Sequence, residues 1–222
     1  MADPLVDSAL IDQITRRVVA RLREEQAGPP ANGKLVPVNV SVRHVHLCQE
    51  HVEILYGPGF TLEERNELYQ PGQFASKQVL TLVGPRMRCL GEVRVLGPLR
   101  KSTQVEVSKT DAIYLGIDPP VKPSGEHEGS AGLILVGPVG VVHLQRGVIL
   151  ANRHIHLSAQ SAQKWGIADN QIVKVRIATH KKTVFEDAQC RVHPSFLDEM
   201  HLDTDDGNAC GLRGGEKAEI ID

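Results

Sequence analysis

Two histidine pairs stand in nearly identical surroundings, since residues 43–47 read RHVHL and residues 153–157 read RHIHL. In an extended strand, residues i and i+2 point to the same face about 6.5–7 Å apart, so two such imidazoles can converge on one metal ion. A single HxH motif is weak evidence. Two copies in matched contexts, in a chain with 10 histidines, favour metal binding. The leading arginines, Arg43 and Arg153, either hold carboxylates behind the histidines or are solvated.

An internal repeat provides one further candidate ligand for each pair. The segment EVSKTDAIYLGI (106–117) can be laid on HLDTDDGNACGL (201–212), which places Glu106 on His201. The two predicted ligand groups are His44, His46 and Glu106, and His154, His156 and His201. Three nitrogen or oxygen ligands with one open position are typical of catalytic zinc, because water or substrate takes the open position. Manganese, iron and cobalt remain alternatives for such ligands.

Composition narrows the class of protein. The chain has 222 residues, a net charge of -2 and 41% hydrophobic residues, which is typical of a globular protein with one large domain or two small ones. We expect no nucleic-acid partner, because no basic run with interleaved aromatic residues is present. We expect no membrane span, because no apolar stretch approaches the ~18 residues that crossing requires. The four cysteines form no CxxC pair and favour reduced thiols in the cytosol.

The elements that must position the histidines are mainly short strands. From Leu35 onward, short β-rich runs alternate with turn residues. Gly-Pro pairs mark turns at 57–58, 84–85, 97–98 and 137–138. This pattern favours small barrels or a sandwich over a doubly wound sheet. Short helices are expected near Cys48–Tyr56 and Ser158–Trp165.

A separate amphipathic helix is predicted over residues 1–25. Its apolar residues recur at spacings of three and four, and Asp3 and Pro4 suit its first turn. Residues 26–33 are rich in Gly and Pro and are expected to form a linker. A short helix on a linker cannot bury its apolar face alone. It therefore packs on its own domain, on a dimer mate, or in the groove of another protein.

Several blocks of the sequence together resemble one family. The blocks are VPVNVSVRHVHL, QPGQFASKQVLTLVGPR, GEVRVLGPLRKSTQVEVSKTDA, ILANRHIHLS and MHLDTDDGNACGL. They occur in the order found in the PduL-type phosphotransacylases, the phosphate propanoyltransferases associated with bacterial microcompartments. The resemblance spans residues 34–222. It implies a phosphotransacylase that interconverts acyl-CoA and phosphate with acyl phosphate and coenzyme A, the acyl group being propanoyl or acetyl.

The resemblance also implies a mainly β fold of two similar small β-barrels, related by internal duplication and exchanging a strand, with short helices. Residues 34–43 with 152–222 would form one barrel and residues 44–151 the other. The active site would lie between the barrels and hold two zinc ions, one for each His-x-His motif. The family's ligands fall on the six residues chosen above from spacing and repeat.

Other site residues come from the resemblance alone. Arg100 matches the phosphate-binding arginine of the family and is the expected catalytic residue. The expected coenzyme A contacts are Val40, Ser41, Val42, Arg94 and Asn208. Direct attack of bound phosphate on the thioester is the mechanistic hypothesis, in which bound reactants are held in position and no serine or cysteine nucleophile takes part.

The resemblance gives a meaning to the N-terminal helix, because microcompartment enzymes often carry one on a linker. We expect residues 1–25 to bind microcompartment shell or cargo proteins and to direct the chain into the microcompartment lumen, within the cytoplasm. A homo-oligomer, a dimer or larger, is also expected.

Two alternatives stay open at this point. A duplicated cupin-like metalloenzyme also offers HxH, Glu and His on β-barrels, but its glutamate follows the pair within several residues, whereas Glu106 lies 62 positions after His44. A zinc-stabilised microcompartment scaffold would bind metal without catalysis, and removal of the metal would unfold it.

Overall fold

Short strands make up most of the protein, for which a computed structural model describes residues 33–221. The strands are β1 (Lys34–Ser41), β2 (His44–His46), β3 (Glu64–Glu67), β4 (Phe74–Val83), β5 (Cys89–Gly97), β6 (Gln104–Glu106), β7 (Val121–Lys122), β8 (Ala131–Val136), β9 (Val141–Ala151), β10 (His154–Leu157), β11 (Ile172–Ile177), β12 (Thr183–Val192), β13 (Glu199–Asp203) and β14 (Lys217–Ile220). The helices are α1 (Gln49–Tyr56), α2 (Lys109–Leu115), α3 (Ala159–Trp165) and α4 (Thr204–Cys210). The predicted helix at residues 1–25 and the linker up to residue 32 lie outside the described residues.

The strands close into two barrels. In the first barrel the order is β1-β13-β10-β12-β11-β14. In the second barrel the order is β4-β5-β2-β6-β9-β8, and the ring closes because β8 pairs with both β9 and β4. Strands β3 and β7 extend the second barrel beside β4 and β9. The prediction of a mainly β fold of two similar small barrels is confirmed.

The two barrels repeat each other strand for strand. Strand β10 runs antiparallel to β13 and parallel to β12, as β2 does with β6 and β5. Strand β11 runs antiparallel to β12 and β14, as β4 does with β5 and β8. Strand β1 runs parallel to β13, as β9 does to β6. The matching directions are what an internal duplication predicts.

The chain passes from one barrel to the other immediately before each histidine pair. Strand β1 belongs to the first barrel, whereas β2, which follows it, belongs to the second. Strand β9 belongs to the second barrel, and β10 returns to the first. Each His-x-His motif therefore begins where the chain changes barrels. We propose these crossings as the domain bounds, with residues 34–43 and 152–222 in one domain and 44–151 in the other.

Each barrel has its own apolar core, and the middle residue of each His-x-His motif belongs to it. Val45 is fully buried in the core of the second barrel, and Ile155 is fully buried in the core of the first. Because successive side chains of a strand point to opposite faces, the flanking histidines point away from these cores. Burial of a Val or Ile side chain stabilises the fold by about 1.5–3 kcal/mol. The apolar middle residue thus fixes the direction of both imidazoles.

Two helices follow the strands that carry the third candidate ligands. Helix α2 begins after Ser108, whose side chain accepts a hydrogen bond from the backbone N–H of Asp111. Helix α4 begins after Asp203, which caps it in the same way. Both end at a glycine with a left-handed backbone, Gly116 with φ 78° and Gly211 with φ 67°, a conformation that glycine adopts without strain. Across residues 33–221, none of the helices has the length and hydrophobicity that crossing a membrane requires.

Candidate active site

The first ligand group lies where β2 pairs with β6. The antiparallel register places His44 opposite Glu106 and His46 opposite Gln104. Nε2 of His44 lies 3.5 Å from Oε2 of Glu106, and Nε2 of His46 lies 3.9 Å from Oε1. The candidate ligand atoms of these three residues all lie within 4.8 Å of one another. The structure therefore brings together the three residues that the spacing and the repeat predicted as one ligand group.

The second ligand group lies in the equivalent place of the first barrel. Strand β10 pairs with β13 so that His154 lies opposite His201. The ring centroids of His154 and His156 are 5.0 Å apart. The ring centroid of His201 lies 4.8 Å from that of His154 and 4.7 Å from that of His156. The candidate ligand atoms again lie within 4.8 Å of one another. Three imidazoles converge here without a carboxylate among them.

Hydrogen bonds leave ring nitrogens of both groups available to a metal. Nδ1 of His44 lies 2.8 Å from the carbonyl oxygen of Val42, and Nδ1 of His154 lies 2.9 Å from that of Asn152. A carbonyl only accepts, so Nδ1 carries the proton and Nε2 keeps its lone pair. In both barrels, the first histidine of the pair thus makes the same hydrogen bond, to the carbonyl oxygen of the residue two positions before it.

One buried ring nitrogen, Nδ1 of His156, has no hydrogen-bond partner among the described residues. Such buried polar atoms cost free energy unless something binds them. A zinc ion suits an imidazole lone pair in this position. The donor atoms of both groups therefore fit a divalent cation of the zinc type.

The protonation states favour the same conclusion. Burial, together with the neighbouring imidazoles, lowers the pKa of His154 to about 4 and that of His156 to about 3. Burial also lowers the pKa of His46 well below its usual value. For Glu106 burial acts to raise the pKa, but nearby histidines, His44 first, outweigh it and hold the pKa well below the usual range. For His44 burial acts to lower the pKa, but Glu106 outweighs it and raises the pKa. The neutral imidazoles of His46, His154 and His156 and the ionised carboxylate of Glu106 are the forms that bind metals. A cation would take the place of the proton that Glu106 favours on His44.

The arginine of each RHxHL motif binds a carboxylate on the helix behind the third ligand. Nε and Nη2 of Arg43 lie 2.8 Å from the two carboxylate oxygens of Asp111 on α2. Nε and Nη2 of Arg153 lie 2.8 Å from those of Asp206 on α4. Such two-pronged pairs fix orientation as well as distance. Of the two readings of these arginines, the carboxylate-holding one is correct. Each ion pair links the start of a His-x-His strand to the helix that follows the third candidate ligand.

The two ligand groups meet at one small pocket. Its lining includes His44 and Glu106 from the first group and His154 and His201 from the second. Glu106 and His154 also shift each other's pKa through their charges, because charge interactions are poorly screened in a buried place. Two cations held by these groups would therefore face the same reactants.

A larger cavity of about 570 Å³ opens beside the small pocket. The expected coenzyme A contacts Val40, Ser41, Val42 and Arg94 all line it, as do His44 and His201. This volume lies in the range of cavities that hold small-molecule ligands, roughly 300–1,000 Å³. The fifth expected contact, Asn208, is exposed on α4 and lines neither of these two cavities.

Arg100 lies in the loop between β5 and β6, beside the first ligand group. Its Nη1 donates a hydrogen bond of 2.8 Å to Oγ of Ser124, which in turn donates one of 3.0 Å to Oε1 of Glu106. The positive charge of Arg100 acts to lower the pKa of both His44 and His46. Arg100 therefore presents a cation next to the group without being one of its ligands.

A family model described as phosphate propanoyltransferase matches residues 37–213. The chain belongs to the phosphate propanoyltransferase family. The resemblance found in the sequence is thus confirmed, and the protein is a member of a transferase family.

Relatives that carry the same family name cover nearly the whole chain. The phosphate propanoyltransferase of Lachnoclostridium phytofermentans is 46% identical over 211 residues, 95% of this chain and 98% of the relative. That of Thermotoga maritima is 46% identical over 186 residues, 83% of this chain and 88% of the relative. That of Listeria monocytogenes is 39% identical over 214 residues, 96% and 94% of the two chains. The similarity to phosphate propanoyltransferases therefore includes both barrels and both histidine pairs.

Beyond the residues that the phosphate propanoyltransferase resemblance supplied, the structure adds Gln104 and Arg191. Nε2 of Gln104 donates a hydrogen bond of 2.6 Å to Oε1 of Glu106. Arg191 on β12 lies opposite His156 on β10, and its charge acts to lower the pKa of His156 and of Arg100. Together they place one amide and one further cation beside the ligand groups of this phosphate propanoyltransferase family member.

The structure also adds Glu199, which lies opposite His156 on β13 and is 2% exposed. Burial acts to raise its pKa, but contacts with His201, Asn39 and Gln70 outweigh this and lower the pKa to about 2. Glu199 precedes the third ligand of its group by two residues, as Gln104 does in the other group. The i and i+2 spacing that identified the histidine pairs could have identified both.

Proposed function

We propose that the protein interconverts acyl-CoA and phosphate with acyl phosphate and coenzyme A, with propanoyl or acetyl as the acyl group. Membership of the phosphate propanoyltransferase family supports the reaction class. The observation that carries the proposal is the meeting of two three-residue ligand groups at one pocket beside a cavity of about 570 Å³. That arrangement offers separate but adjacent places for phosphate and for a thioester.

We propose that each ligand group holds one zinc ion. The proposed ligands are His44, His46 and Glu106 for one ion, and His154, His156 and His201 for the other. A bound zinc ion would supply Lewis-acid stabilisation of negative charge, both on the carbonyl oxygen of the thioester and on the departing thiolate. The protein's part is to hold the ligand atoms with their lone pairs directed inward, through bonds such as that from His44 to Val42.

The larger cavity is the proposed place for coenzyme A. Exposed apolar side chains line it, among them Val40, Val42 and Tyr69, which are 38%, 55% and 48% exposed. Nη1 of Arg94 donates hydrogen bonds to the carbonyl oxygens of Ser76 and Lys77, at 3.1 and 2.8 Å. This fixes a positive charge in the wall that suits a phosphate of the coenzyme. The role of Asn208 as a coenzyme A contact rests on the family resemblance alone.

Arg100 is the proposed phosphate-binding residue. In the proposed reaction, a phosphate oxygen forms a bond to the thioester carbonyl carbon, and the carbon–sulfur bond then breaks to release coenzyme A as its thiolate. Arg100 is held by Ser124 beside the first ligand group, so it can orient phosphate towards the thioester in the neighbouring cavity. Fixing two reactants in this way removes much of the entropy cost of bringing them together.

Release of coenzyme A from acetyl-, propanoyl- and butanoyl-CoA, with and without phosphate, tests this function directly. The proposal expects a free thiol to appear only when phosphate is present, together with an equal amount of acyl phosphate. Thiol release that does not depend on phosphate would indicate a different metalloenzyme. No release from any of the substrates would favour the scaffold alternative.

We further propose that residues 1–25 bind microcompartment shell or cargo proteins and direct the chain, as a homo-oligomer, into the microcompartment lumen. These residues lie outside the described part of the chain, and the proposal rests on their amphipathic pattern and linker. Deletion of residues 1–33 leaves β1, which begins at Lys34, intact. We expect the deleted form to keep its activity and to lose co-purification with shells, measured by immunoblot of purified shells. Encapsulation at the level of the full chain would refute the assignment.

A further inference from the structure

The two ligand groups carry their negative charge in different places. On β6, Glu106 lies opposite His44, and the neutral Gln104 lies opposite His46. On β13, His201 lies opposite His154, and Glu199 lies opposite His156. Strands β6 and β13 thus each carry one carboxylate and one neutral side chain at the two positions opposite the histidines. The order of the two is reversed between the barrels.

The surroundings of Gln104 show why it suits a neutral side chain. Its Nε2 donates hydrogen bonds to Oε1 of Glu106 at 2.6 Å and to Oγ of Ser124 at 2.8 Å, while its Oε1 accepts one from the backbone N–H of Gly125 at 2.7 Å. A second carboxylate in this place would face Glu106 without a proton between them. The first group therefore takes its charge from the ligand Glu106 itself.

The surroundings of Glu199 suit a fixed negative charge. The carboxylate is 2% exposed and accepts a hydrogen bond from Nδ2 of Asn39 at Oε1 and one of 2.6 Å from Nε2 of Gln70 at Oε2. Its Oε2 also lies 3.0 Å from Nε2 of His201. A buried carboxylate is costly unless donors or cations surround it. Two donors hold Glu199 beside the imidazole of His201.

Contacts from both barrels fix the position of this carboxylate. Asn39 lies on β1 of the first barrel, whereas Gln70 precedes β4 of the second. Gln70 is 5% exposed and exchanges hydrogen bonds with the backbone of Leu197, at 3.0 Å to the carbonyl oxygen and 3.2 Å from the N–H. Glu199 is therefore held where the two barrels meet.

We propose that Glu199 is the anionic partner of the His154, His156 and His201 group, strengthening its hold on a divalent cation and orienting His201. This inference rests on the proposed metal binding. Three neutral imidazoles bring no charge to balance a dication, whereas a carboxylate in contact with a ligand imidazole does so in a poorly screened place. Carboxylates in contact with metal-ligating histidines typically change metal affinity by about 10–100-fold.

The test measures zinc affinity in the full chain by competition with a chromogenic chelator, in two backgrounds. His44→Ala removes a ligand of the first group and leaves the second complete, whereas His154→Ala does the reverse. We expect Glu199→Gln to weaken zinc binding about 10–100-fold in the His44→Ala background and to leave it unchanged in the His154→Ala background. Glu219→Gln on β14, which loses an exposed pair with Arg176, is the matched control and changes neither.

The outcomes separate this inference from the proposed function. Zinc binding by the starting chain with no effect of Glu199→Gln in either background would overturn the inference alone. An equal loss in both backgrounds would assign Glu199 to general folding and also overturn it. Absence of zinc binding by the starting chain would instead sink the proposed metal sites. Should Glu199→Gln fail to fold, Gln70→Leu keeps the charge but removes a donor, and unchanged zinc affinity of that variant in the His44→Ala background would count against the inference.

Discussion

His44→Ala and His154→Ala are each expected to lower phosphate-dependent release of coenzyme A by at least about 100-fold, since even residues behind metal ligands cost about 10–100-fold. Each change removes one of three candidate ligands whose lone pair is set by a hydrogen bond to a backbone carbonyl. The remaining two ligands of the group cannot hold a cation in one geometry. Measurement of kcat/KM with propanoyl-CoA, together with zinc content, tests both variants.

His143→Ala is the matched control for both variants. His143 is an exposed residue on β9, it belongs to neither ligand group, and its Nδ1 contacts Gln145. We expect this variant to keep near-normal turnover and metal content. Full activity of His44→Ala or His154→Ala after loss of one metal would mean that only one of the two groups takes part in the reaction.

Arg100→Ala is expected to lower the rate by two or more orders of magnitude while zinc content stays unchanged, because loss of one well-placed charge-stabilising donor costs roughly 10²–10³-fold. Burial lowers the pKa of Arg100, yet a guanidinium stays protonated at neutral pH. Its hydrogen bond to Ser124 fixes it near Glu106 without metal ligation. The effect should appear mainly in kcat/KM for phosphate. Arg100→Lys should recover only part of it, because lysine keeps the charge but not the planar fork.

Arg88→Ala provides the comparison for this second prediction. Arg88 lies on the exposed turn between β4 and β5, where its Nη1 donates to the carbonyl oxygen of Tyr114, and it lines neither of the two cavities. Near-normal turnover of Arg100→Ala would contradict the phosphate-binding role. Loss of activity together with loss of zinc would assign Arg100 to the stability of the metal group instead.

The parts of the fold and site that follow local rules could be predicted from the sequence. The i and i+2 spacing of a strand puts His44 and His46 on one face, and Val45 between them is buried in the core on the opposite face. The internal repeat placed Glu106 and His201 at equivalent positions, and the two pairing registers put each of them opposite the first histidine of its pair. Periodicity and duplication are enough for these features because each depends on neighbours along one or two strands.

Other features depend on contacts that no local pattern reveals. Gln70, before β4 of the second barrel, and Glu199, on β13 of the first, are 129 residues apart and meet where the two barrels contact each other. A glycine inside an apolar run usually suggests a break between strands, but β9 continues from Val141 to Ala151 through Gly147, which has φ 113°.

The most direct test of the account is the activity of the full chain after complete removal of metal by a chelator. The account predicts that the stripped protein releases no coenzyme A above background, and that activity returns as zinc is added, reaching its plateau at about two equivalents per chain, one for each three-ligand group. A stripped protein that elemental analysis finds free of metal, and that still turns over propanoyl-CoA and phosphate at the full rate, would contradict it.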